Sequence, residues 1–133
     1  VEASPHALAF WNAAGRNTVG VPRIPLFRMH ETGDFQVPMA LVLGYDGLIE
    51  ANGKQDLYRT AFVEAPTHCG FNVSELAAAV DVMMERLDTG EWPGTSPAEM
   101  DARAASVGPG DDPRFISNEE YLPRKYHRVW VPN

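Results

Sequence analysis

The chain has 133 residues, one cysteine, and 11 Lys+Arg against 18 Asp+Glu, for a formal net charge of −7. Its length suits one domain on a prior of about 100–200 residues, and its 44% hydrophobic content is globular. A lone cysteine excludes an internally disulfide-stapled scaffold, the acidic balance argues against a general nucleic-acid binder, and no apolar run approaches the ~20 residues needed to span a bilayer.

The sequence opens Val1-Glu2-Ala3, without an initiator Met or a signal-peptide pattern, and so reads as a processed product or a piece of something longer. Ser4-Pro5 followed by 6–14 and Gly15 predicts a short helix, with a capping serine, proline in the first turn and a glycine stop. Ile24 to His30 is a short apolar run ending at Glu31-Thr32-Gly33-Asp34, a strand entering a tight turn. From Val37 to about Glu50 the apolar positions Ala40, Leu41, Leu43 and Leu48 suit a helix, weakened by Gly44 and Gly47. Leu57 to Val63 is rich in β-formers and stops before Pro66, which predicts a second strand. Asn72-Val73-Ser74-Glu75 has the form of a capping box, and Leu76, Val80, Met83 and Leu87 recur at helical spacing up to Gly90.

Helix, strand, helix, strand, helix is the alternation of an α/β unit with parallel strands. Two strands are too few for a stable sheet, so this body (residues 1–90) needs further strands to pair with. Residues 91–133 show no clear periodicity beyond a short helix around 97–105, and read as an irregular extension packed on the core. Its basic and aromatic end, Tyr121, Arg124, Lys125, Tyr126, His127, Arg128 and Trp130, is better suited to packing than to binding an anion, given the net charge.

Asp34 and His68 each fall just beyond the C-terminal end of a predicted strand, one strand-helix unit apart. Functional side chains of open parallel sheets gather at that edge. A carboxylate beside an imidazole fixes its tautomer and stabilises the imidazolium formed on proton acceptance. The plainer alternatives are a turn aspartate bonding its own backbone and a loop histidine closing a strand end. Phe35 and Val37, just past the acid, are candidates for lining a substrate pocket.

The run from Leu26 to Pro38 resembles the acid turn of α/β-hydrolases, in which glycine, one residue, aspartate, two residues, valine and proline commonly follow a strand. Thr67-His68-Cys69-Gly70-Phe71 is similar to that family's histidine turn before its last core helix, which would be 72–89 here. The likeness covers about 22–90, and departs from the pattern at Thr67, where glycine is usual, and at His30-Glu31-Thr32. It implies the C-terminal part of an α/β-hydrolase fold and a serine hydrolase, esterase-like, that needs no cofactor. The roles it implies are base for His68 and orienting acid for Asp34. Family order is serine, acid, histidine, yet none of Ser4, Ser74, Ser96, Ser106 and Ser117 lies in a G-x-S-x-G context. The resemblance therefore implies an N-terminal partner segment, in a two-chain or cut protein, that carries the serine and oxyanion hole for a small ester substrate. Alone, the chain is expected to be inactive.

Two other classes remain open from the residues. One is a non-catalytic α/β partner-binding or regulatory subunit. The other is a self-contained enzyme using Cys69 or a metal held by His30, Glu31, Asp34 and His68. Cys69 is poorly placed for activation by its own neighbour and reads as a buried, inert thiol, and no H-E-x-x-H or related spacing supports the metal. Asn72-Val73-Ser74 matches a glycosylation sequon, but helix capping explains the same residues.

Overall fold

The computed structural model describes residues 2–13, 15–107 and 112–118; the basic and aromatic end lies outside them. Helix α1 (Pro5–Asn12) is started by Ser4, whose Oγ accepts from the Ala7 amide at 3.2 Å. It buries none of its residues. Strand β1 (Leu26–Glu31), helix α2 (Met39–Ala51) and strand β2 (Tyr58–Val63) follow. Helix α3 (Val73–Thr89) ends at Gly90, which adopts the left-handed conformation at φ 79°. Helix α4 (Pro97–Val107) and the two-residue strand β3 (Phe115–Ile116) complete the described elements.

The sheet order is β1-β2-β3. β1 and β2 pair in parallel, from Leu26 opposite Tyr58 to Glu31 opposite Val63, with α2 in the connection. β3 runs antiparallel to β2 on its other side, Phe62 opposite Ile116 and Val63 opposite Phe115. The two expected parallel strands are thus joined by a third, in the stretch read from sequence as irregular. Two residues carry too little pattern to announce a strand.

Alternation along β2 divides the core between the two faces of the sheet. Ala61 and Val63 pack with Ala78 and Val82 of α3, Met100 and Ala104 of α4, and Phe115. Phe62 turns the other way, onto Met39 and Val42 of α2. Met100, Ala104 and Phe115, from the stretch beyond residue 90, are therefore part of the core. Arg103 pins α4 to α3 through Asp81 and Glu85, and a Ser96–Glu99 pair starts α4, Glu99 Oε2 accepting from the Ser96 amide at 2.9 Å.

The face α3 buries differs from the one its apolar spacing suggests. Ser74, Glu75, Ala78 and Val82 are inside, whereas Val73, Leu76, Val80, Met84 and Leu87 form an exposed stripe. Small residues allow α3 to lie close on the sheet, and Glu75 can go inside because an arginine meets it there.

Beyond the regular strands the parallel ladder continues into the two turns. The Thr32 amide donates to Val63 O and the Gly33 amide to Ala65 O, both at 2.9 Å. A Cβ on Gly33 would lie 2.6 Å from Ala65 O and 2.7 Å from Pro66 Cα, so the turns touch backbone to backbone. Gly33→Ala should cost about 1–3 kcal/mol through this overpacking. Gly44→Ala in α2, where a Cβ meets nothing within 4 Å, should instead stabilise by about 0.5–1 kcal/mol. Urea denaturation of the two variants checks both signs.

Candidate active site

The acid turn is built by its own aspartate. The Asp34 amide donates to Glu31 O at 3.2 Å. Its Oδ1 then accepts from the amides of Gln36 at 2.8 Å and Val37 at 2.9 Å. This side-chain-to-backbone closure stiffens the turn and leaves Oδ2 for another donor. That donor is His68, whose Nδ1 lies 2.8 Å from Oδ2. The plain and the chemical readings of Asp34 hold together, one oxygen for each.

The Asp34 side chain is 6% exposed and that of His68 34%. Burial works to raise the Asp34 pKa, but it is outweighed by the Val37 amide, the His68 ring and the Gln36 amide, which bring it down to about 2. The carboxylate is therefore ionised at neutral pH. An ionised Asp34 selects the tautomer with the proton on Nδ1, so the lone pair on Nε2 is free to accept a proton. The pair can therefore act as an oriented base, and it is more open on the imidazole side.

His30, near the end of β1, has a different character. It is buried, and burial first, then the Arg28 charge, lowers its pKa. Its Nε2 has no hydrogen-bond partner among the described residues. Glu31 is 1% exposed and accepts from Thr67 Oγ1, next to His68, at 3.5 Å. Among the described residues no three His, Cys, Asp or Glu side chains are grouped as metal ligands, and no helix is long and apolar enough to cross a membrane.

Cys69 is exposed rather than buried. Its φ of 59° places it in the left-handed region, unusual for a residue with a side chain, and turns the chain sharply after His68. Phe35 is 73% exposed beside the acid, while Val37 is half-buried and contributes its amide to Asp34. Neither lines either of two clefts found elsewhere: about 340 Å³ between β2, β3 and the start of α4, and about 380 Å³ between residues 16–18 and α2. The Asn72 amide group, read as a sequon position, donates to Asp112 O at 3.1 Å.

Sequence reasoning singled out Glu75 only as a helix cap and passed over Arg114. Arg114 Nε and Nη2 donate to Glu75 Oε1 and Oε2, each at 3.0 Å. The two residues are separated by 39 positions, and no spacing rule links such a pair.

A buried, ionised aspartate orienting a partly exposed histidine, at the C-terminal edge of a parallel strand pair, is an arrangement that can serve general acid–base chemistry. The chain is 47% identical over 132 residues to o-phthalyl amidase of Xanthobacter agilis, a hydrolytic enzyme by its name. The alignment takes in 99% of this chain and 29% of that protein, so the chain spans under a third of the relative's length. No protein-family model matches the sequence, and no solved structure matches it.

Because the Asp34 pKa falls on folding from an ordinary 3.8 to about 2, ionised Asp34 favours the folded state above its unfolded value. That contribution fades as the pH drops through about 2. Chemical denaturation between those limits should show the stability gap between wild type and Asp34→Asn narrowing with acidification.

Proposed function

We propose that this chain supplies the acid and base of a Ser-His-Asp triad in an α/β-hydrolase-fold enzyme that cleaves a carboxylic amide or ester by acyl transfer. The hydrogen bond between Asp34 Oδ2 and His68 Nδ1 carries the reading. The serine and the oxyanion-hole amides would come from an N-terminal segment. A relative named as an amidase moves an amide ahead of the small ester that the motifs alone imply.

In this reading His68 Nε2 takes the proton of the serine hydroxyl as its oxygen attacks the carbonyl carbon. The imidazolium so formed lies against Asp34, which remains ionised throughout. His68 then gives the proton to the departing amine or alcohol, leaving an acyl-serine. Water attacks next, again losing its proton to Nε2, and that proton returns to the serine as the acid leaves. Asp34 acts through His68 and touches no reacting atom. In this reading Phe35, exposed beside the acid, would meet the apolar part of a substrate.

Two features support an N-terminal segment as partner. Among the described strands β1 pairs only with β2, which leaves its other edge open. The α3 stripe of Val73, Leu76, Val80, Met84 and Leu87 is a continuous apolar surface of the kind that marks an interaction site. The same stripe would serve a non-catalytic partner-binding subunit, and activity separates the two.

In the complete protein, Asp34→Asn should lower kcat for hydrolysis about 10,000-fold and His68→Ala about a million-fold, with little change in KM. Unaltered turnover in either variant would remove the triad. Val80→Glu on α3 should weaken the hold on the N-terminal segment while changing this chain's own stability by no more than about 0.5 kcal/mol. Pull-down and urea titration of the same variant measure the two effects.

A further inference from the structure

The turn that presents His68 leaves β2 at Glu64 and enters α3 after Asn72. Its apex holds Cys69 at φ 59°, a conformation that persists only where the surroundings fix it. On one side the fixing comes from the acid turn, where the Gly33 amide reaches Ala65 O at 2.9 Å. On the other side both limbs of the turn converge on one residue. Arg114 O accepts from the Glu64 amide at 2.8 Å, and Arg114 Nη2 donates to Gly70 O at 2.9 Å. Arg114 thus closes the loop 64–70 at its base, with His68 and Cys69 just before the Gly70 limb.

The guanidinium is itself held. Glu75, fully buried, receives Arg114 Nε and amide on Oε1 and Nη2 on Oε2, all at 3.0 Å, and also caps the Asn72 amide at 2.7 Å. A carboxylate so buried requires a paired cation. Only the planar fork of arginine satisfies both its oxygens while still reaching a carbonyl; the ammonium of lysine is a point charge. We infer that Arg114 is a positioning residue: by clasping the loop 64–70 through Gly70 O, it fixes the orientation in which His68 Nδ1 meets Asp34. This rests on the reading of His68 as the base, and extends that site to a residue 46 positions further along the chain.

The test is the ring-nitrogen NMR spectrum of His68 in the complete protein, recorded about two pH units above the ordinary imidazole pKa. The nitrogen shifts there report which nitrogen carries the proton. Wild type should show mainly the Nδ1–H tautomer. Arg114→Lys keeps a cation against Glu75 but loses the clasp on Gly70, and should shift the tautomer ratio toward Nε2–H by about fivefold or more, with the β1 and β2 amide signals in place. Glu75→Gln, which leaves the Arg114 contact to Gly70 possible, should shift it much less. An Arg114→Lys ring spectrum like wild type overturns the inference. So does an equal shift in Glu75→Gln, or loss of the strand signals in Arg114→Lys, because Arg114 then supports the fold at large and not His68. If wild type itself lacks the Nδ1–H tautomer, the His68–Asp34 reading falls first; if only the variant contrast fails, that reading stands.

Discussion

Everything at the site depends on the register in which β1 and β2 pair. With Glu31 opposite Val63, the ladder runs on into both turns, and Gly33 comes against Ala65 with no room for a side chain. Asp34 and His68 are then each a few residues past a strand end on the same edge, and their side chains meet at 2.8 Å. A one-residue slip would turn the side chains of the slipped strand to the opposite face of the sheet and separate the pair. The Asp34–His68 contact is thus a consequence of backbone pairing, with the side chains carried to it.

Around that contact, carboxylates are used in three ways. Asp34 divides its oxygens between its own turn and His68, and the amides on Oδ1 help to keep it ionised. Glu75 is buried and forked by Arg114, whose Nη2 also donates to Gly70 O in the histidine turn. Glu31 sits beneath that turn against Thr67. The surface is less complete: the outer face of α3 and much of α1 present apolar side chains, including Phe10 and Trp11. A surface of that kind fits a chain that spans under a third of its relative's length.

Much of this was legible in the residues. Ser4-Pro5, the β-rich run before Pro66, and the glycine at 90 mark element ends by local chemistry, and their boundaries lie within a residue or two of those observed. Asp34 and His68 could be paired because strand ends in a parallel unit share an edge. The spacing of Leu76, Val80 and Leu87 identified α3 but not the face it buries, since Ala78, Val82 and Glu75 enter the core for reasons of close packing and ion pairing that lie elsewhere in the chain. Strand β3 is too short to show a period. Arg114 meets Glu75 and Gly70 only after three elements have packed, so nothing near it in sequence announces its place.

The most direct test of the central claim is mass spectrometry of the purified complete protein after labelling with a fluorophosphonate serine probe, then separation under denaturing conditions and mapping of the label. The account predicts one labelled serine, located outside these 133 residues, with labelling that depends on His68. A labelled serine within this chain, or no labelling in a protein that is folded and hydrolytically active, would contradict it.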